Sequence, residues 1–130
     1  MKAVAQHIQL NVSNPDFYRK LLAYFEGKVL MDESGYLGVQ VGEMSFWIFL
    51  VNEKHKQVPF NRHARGIHHV GFRVDKRSDV DAFFKEYLQA NGIAVLYEKP
   101  KEYPEFGSNY YAVKCEDPDG IVIEVFHKDE

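Results

Sequence analysis

Three residues with metal-binding chemistry sit in three similar settings along this chain. His7 opens the run His7-Ile8-Gln9-Leu10-Asn11-Val12, His69 opens His69-Val70-Gly71-Phe72-Arg73-Val74, and Glu124 lies within Ile121-Val122-Ile123-Glu124-Val125-Phe126. The first two runs alternate with period two, as half-buried strands do. Successive side chains of a strand point to opposite faces. With Ile8, Leu10 and Val12 turned inward, His7, Gln9 and Asn11 turn outward. The same parity sets His69, Gly71 and Arg73 against Val70, Phe72 and Val74, and Val122, Glu124 and Phe126 against Ile121, Ile123 and Val125. An ionised Glu in an apolar strand is costly without a partner. Two imidazoles and a carboxylate can hold a divalent metal and leave positions open for substrate. Parity therefore predicts a metal site of His7, His69 and Glu124. Fe, Mn, Ni and Zn all accept such ligands. The alternative is a polar face that holds no metal.

The elements that must position these residues come from an internal repeat. The segment Ala5–Val12 matches Ile67–Val74 at an offset of 62 residues, with His7 on His69. A helix follows each strand. Asn14 and Pro15 suit the N-cap and first position of one, Phe17, Leu21, Leu22 and Phe25 form its stripe, and Gly27 can end it. Ser78 or Asp79 can cap the other, whose stripe runs Val80, Phe83, Phe84, Tyr87 and Leu88 before Gly92. Three strand-like runs then follow each helix, at 28–31, 36–41 and 44–51, and at 93–98, 109–116 and 121–126. Asp117-Pro118-Asp119-Gly120 is a strong turn. The expected architecture is α+β, one domain over 1–130 made of two βαβββ modules, about 3–51 and 66–128, with a polar linker 52–65. The connection 98–108 is long, and its Tyr103, Glu105 and Phe106 are candidates for a lid.

Composition narrows the function. Hydrophobic residues make up 45% and charged residues 27% of the 130, which suits a packed core. A net charge of −3 lacks the basic excess of a general nucleic-acid binder. No apolar run is long enough for a membrane span, and Met1–Gln6 shows no signal-peptide core. The single Cys115 has no internal disulfide partner and shares parity with core positions. A cytoplasmic, reducing setting is expected. His68 falls at a strand end, and His55, His63 and His127 are expected at the surface. Gln9, Asn11, Arg73, Tyr110 and Lys114 share the face of the predicted ligands.

The three runs, with Gly66-Ile67-His68-His69 and Asp117-Pro118-Asp119-Gly120 in place, resemble the signature strands of the glyoxalase / bleomycin-resistance / dioxygenase (vicinal oxygen chelate) superfamily. The resemblance spans essentially the whole chain. It implies that the ligand positions are His7, His69 and Glu124, and that His69 rather than His68 is the ligand. Members with four protein ligands carry a Glu or Gln where this chain aligns Trp47, or Phe46 or Ile48 on a one-residue slip; none of these can bind a metal, which implies a three-ligand dioxygenase or transferase type rather than glyoxalase I. Such relatives place a Tyr ten residues before the ligand Glu; Lys114 stands there. The resemblance further implies a homodimer, with His7 meeting His69 and Glu124 of a second copy, and a small-molecule substrate. Arg73, Lys114 and Tyr110 are the candidate catalytic residues, and the two cations point to an anionic substrate with Lys114 as general acid or base. The competing expectation is a metal-free protein that sequesters a drug or metabolite.

Overall fold

Strand β1 (His7–Val12) buries one face: Leu10 and Val12 are buried while His7, Gln9 and Asn11 stay exposed, as parity requires. Asn14 accepts a hydrogen bond from the Asp16 backbone N–H (3.1 Å), and Pro15 needs no such partner, so α1 (Pro15–Tyr24) begins there. The helix ends one residue earlier than Gly27 suggests. Glu26 takes the left-handed backbone (φ 58) and the Gly27 N–H closes on the Leu22 carbonyl at 2.9 Å. Gly27 serves closeness instead, since a Cβ there would lie 2.5 Å from the Val39 side chain. Three strands follow, β2 (Lys28–Glu33), β3 (Tyr36–Val41) and β4 (Met44–Leu50).

The computed structural model describes residues 1–130, which divide into two units, Met1–Pro59 and Phe60–Glu130. In the first unit the strand order is β1-β4-β3-β2, with β1 parallel to β4 and the rest antiparallel. Leu21 and Leu22 of α1, Leu37 of β3 and Ile48 of β4 are fully buried; each such burial contributes about 1.5–3 kcal/mol. Strand β2 is an edge with all six side chains exposed.

The second unit repeats the order as β5-β8-β7-β6, again with its first and last strands parallel. Its strands are β5 (His69–Arg73), β6 (Val95–Glu102), β7 (Tyr111–Glu116) and β8 (Val122–His127). Two βαβββ modules in an α+β fold are therefore observed. The second helix differs from expectation at its start. Lys76 is the capping position, and Asp79 reaches back to accept the Lys76 N–H at 3.1 Å from three residues inside. Helix α2 (Arg77–Ala82) then widens into a π-helical stretch (Phe83–Gln89). Strand β6 also departs from expectation, running on to Glu102 through an irregularity between Leu96 and Lys101. Tyr97 and Glu98 take positive φ there (61 and 72). The connection to β7 is correspondingly shorter than 98–108 and contains one turn of 3-10 helix (Pro104–Phe106). No helix is long and apolar enough to cross a membrane.

Candidate functional site

Glu124 is the unusual residue of β8. Its side chain is 5% exposed, within a strand whose neighbours Ile123 and Val125 are wholly buried. Register brings Gly71 of β5 and Lys114 of β7 beside it. Gly71 leaves room, because a Cβ at that position would sit 3.5 Å from the carboxylate. The carboxylate is matched from several directions. Tyr110 donates its hydroxyl to Oε1 at 3.0 Å, His69 Nε2 stands 3.9 Å from the same oxygen, and Lys114 Nζ lies 3.7 Å from Oε2. Such matching offsets the cost of burying the charge.

The phenol is held in place by stacking. The Tyr110 and Phe126 rings lie parallel, 5.0 Å apart with an interplanar angle of 3°. Burial first, then the Glu124 charge and the hydrogen bond to it, push the Tyr110 hydroxyl far above the usual phenol range. It therefore remains a proton donor. Above Lys114 lie two more rings, Tyr103 at 4.8 Å and Phe106 at 5.7 Å from the ammonium. Tyr103 and Phe106 stack on each other, and the Tyr103 N–H donates to the Tyr110 carbonyl at 2.9 Å. The short connection thus folds back over Lys114 as an aromatic cap. Glu105, grouped with these two as a lid residue, makes none of these contacts and is exposed.

Arg77 of α2 anchors the base of that cap. It bonds Asn109 at 2.8 Å and pairs with Glu102 at 2.9 Å, on either side of the connection. Its guanidinium also lies over the Tyr111 ring (4.1 Å), while Tyr111 donates to Asp81 at 2.7 Å. No sequence motif marks this clasp, because its members come from a helix and two loop ends.

The other candidate residues are distributed differently. Arg73 turns to the C-terminal segment, donating to the Lys128 carbonyl at 2.8 Å and pairing with Glu130 at 3.6 Å; the structure does not bring it to Glu124. His68 and His69 meet through their Nδ1 atoms at 3.0 Å, which leaves His69 Nε2 facing Glu124. Burial and then the neighbouring His69, His63, Arg62 and Lys114 lower the pKa of His68. His7 belongs to the first unit, where its Nδ1–H donates to Gln6 Oε1 at 2.5 Å and leaves Nε2 as the open nitrogen. Gln9 and Asn11 hydrogen-bond to each other beside it. Within the chain no group of three or more His, Cys, Asp or Glu side chains is placed to hold a metal ion.

The donor set of the second unit fits a metal in part. A separation of 3.9 Å between His69 Nε2 and Glu124 Oε1 is within reach of one ion with bonds of about 2.0–2.2 Å to each. A carboxylate also has lone pairs beyond those that Tyr110 uses. The second unit's own cluster supplies these two donors.

Two βαβββ units, each with its first and last strands parallel and adjacent, define a glyoxalase-like fold. The chain belongs to the Glyoxalase/Bleomycin resistance protein/Dioxygenase superfamily, whose model matches residues 5–125. Among its relatives is the uncharacterized protein YqjT of Bacillus subtilis (strain 168), 30% identical over 128 residues, covering 92% of this chain and 94% of that one. A candidate glyoxalase from Bacillus halodurans superposes with a TM-score of 0.84 at 25% identity, over 97% of this chain and 96% of the other. The fosfomycin resistance protein FosX of Listeria monocytogenes, solved with Mn(II) and sulfate, shares the fold with a TM-score of 0.71 at 17% identity, over 99% and 93% of the two chains.

Proposed function

We propose that this protein is a divalent-metal-dependent enzyme acting on a small oxygen-rich molecule, with His7, His69 and Glu124 as ligands and His7 supplied by a second copy of the chain. The observation that carries the reading is Glu124, a buried carboxylate in an apolar strand with His69 beside it. The open Nε2 of His7, set by the Gln6 bond, supports its assignment as the third ligand. When bound, the metal supplies Lewis acidity towards the substrate's oxygens. Tyr110 keeps its proton and holds Glu124 in orientation. Lys114 supplies positive charge for an anionic substrate and a proton-transfer group at its reacting end. Trp47 aligns with the fourth-ligand position, which favours dioxygenase or transferase chemistry over that of glyoxalase I. The lone buried thiol, Cys115, supports a reducing, cytoplasmic setting.

Metal content tests this reading directly. His7→Ala, His69→Ala and Glu124→Ala each lose Mn2+, Fe2+, Ni2+ or Zn2+ from protein purified without chelators, while His63→Ala and His68→Ala retain it. Full occupancy after loss of His69 sinks the assignment. Mixing His7→Ala with Glu124→Ala protein restores part of the bound metal if ligands cross between copies, and light scattering shows a dimer. A second reading has its own support: Lys114 and Tyr110 already match Glu124, as a metal-free ligand-sequestering protein requires. Micromolar ligand binding by protein without metal would favour it.

A further inference from the structure

Glu124 already has a cation. The Lys114 ammonium stands 3.7 Å from Oε2, and its side chain is only 18% exposed. The ring faces of Tyr103 and Phe106 lie over it at 4.8 and 5.7 Å. A carboxylate below and two aromatic faces above make a cage whose chemistry suits a compact monovalent cation. The occupant comes from the next strand, Lys114 pairing with Glu124 in register. Without it the buried carboxylate would keep only the Tyr110 hydroxyl and a half-exposed imidazole. That leaves a largely uncompensated charge in the protein interior.

A divalent ion at His69 and Glu124 changes this balance. The carboxylate then has a stronger partner, and the ammonium becomes a like charge within a few ångströms of it. Lys carries its charge on a flexible four-carbon stem, so the head can move to water while the stem stays packed. We propose that Lys114 is a tethered cation that holds the metal's place on Glu124 and leaves when a divalent ion arrives, so that loading the site and releasing Lys114 from its cage are one event. The proposal rests on the metal-binding reading above. It gives Lys114 a task before any chemistry: keeping the empty site folded, at a cost to metal affinity.

The test uses full-length protein stripped of metal. Mn2+ is titrated and free Mn2+ followed by its electron paramagnetic resonance signal. Lys114→Met binds Mn2+ about tenfold or more tightly than wild type, because one like charge has left a partly buried neighbourhood. Lys85→Met, which removes an exposed charge on the helix, stays within about twofold of wild type. Equal affinities for wild type and Lys114→Met overturn the proposal alone. Failure of every variant to bind Mn2+ or Zn2+ overturns the metal reading and this proposal with it. A measurement on the unmutated chain covers the case in which Lys114→Met does not fold. Amine acylation read by mass spectrometry finds Lys114 protected relative to Lys85 without metal, and equally reactive once Zn2+ is added. Protection that persists at saturating Zn2+ overturns the proposal.

Discussion

Trp47 and Glu124 hold the same position in two copies of one module. Trp47 pairs with Gln9 on one side and Gly38 on the other, and Glu124 pairs with Gly71 and Lys114. The first unit places the glycine on β3, and the indole lies over it so closely that a Cβ at Gly38 would be 2.5 Å from the ring. The second unit places the glycine on β5 and opens space for a carboxylate, a phenol and an ammonium. One module has filled the outward face of its sheet with a ring; the other has kept that position for polar chemistry. The same backbone register thus serves packing in one unit and a candidate site in the other, decided by which strand gives up its side chain.

The largest effect should come from emptying the filled copy. Trp47→Ala is expected to destabilise the protein by about 3 kcal/mol, at the low end for a Trp because the ring is only part-buried. Gly38→Ala should cost about 2 kcal/mol, because the indole must move to admit a methyl group. Both are read from denaturant unfolding, and a Gly38→Ala variant as stable as wild type would show that the ring is not seated on the glycine. In the open copy the matching change is milder. Gly71→Ala meets Phe126 at 3.3 Å and Glu124 at 3.5 Å, so it should cost under about 1 kcal/mol. Its mark should be weakened metal binding through a displaced carboxylate rather than lower stability.

A smaller and pH-dependent contrast lies on the helix side. Val39 and Cys115 share a register position, one residue beyond Gly38 and Lys114, and both are buried. Only the thiol can ionise. Burial, with Asp117 and Glu116 nearby, raises it from 9.0 to about 12. A folded-state value above the unfolded one means that the folded chain keeps a proton which the unfolded chain releases. The stabilisation is complete below about pH 9 and is lost as pH rises towards about 12. Tyr87, pushed up to about 12 chiefly by burial, adds a slope of the same sign above pH 10. Cys115→Val should flatten the fall between pH 9 and 10 in urea unfolding. In wild type the thiol should resist alkylation at pH 8 until the protein unfolds.

Much of this contrast was legible in the amino-acid sequence. Parity assigns the outward faces of β1 and β5, and the duplication aligns Trp47, or a neighbour one residue away, with Glu124. Strand alternation is a local rule, so it survives folding. What was hidden depends on partners far along the chain or on backbone without a marker. Tyr97 and Glu98 adopt positive φ with no glycine to announce it, so β6 looked shorter and the lid longer. Arg73 has the parity of the candidate ligands, yet its partner is a carbonyl 55 residues away. Tyr103 and Phe106 were visible as loop aromatics, but that they sit on Lys114 follows only from the turn between them. The N-cap of α2 was misplaced because Lys76 has no capping chemistry of its own; Asp79 supplies it from inside the helix.

The parallel pairing of first and last strands has a consequence for how each module is born. Strand β1 finds its neighbour β4 only after the helix and two further strands have been made, and β5 waits for β8 in the same way. During synthesis the strand bearing His7, and later the strand bearing His69, spends the whole interval with unpaired backbone groups. Non-local parallel pairing is slow to form, and open edges invite wrong partners. A nascent chain of this kind is therefore most exposed to aggregation just before the end of each module is translated, and slowing the ribosome within β4 or β8 should lower soluble yield more than slowing it within α1 or α2.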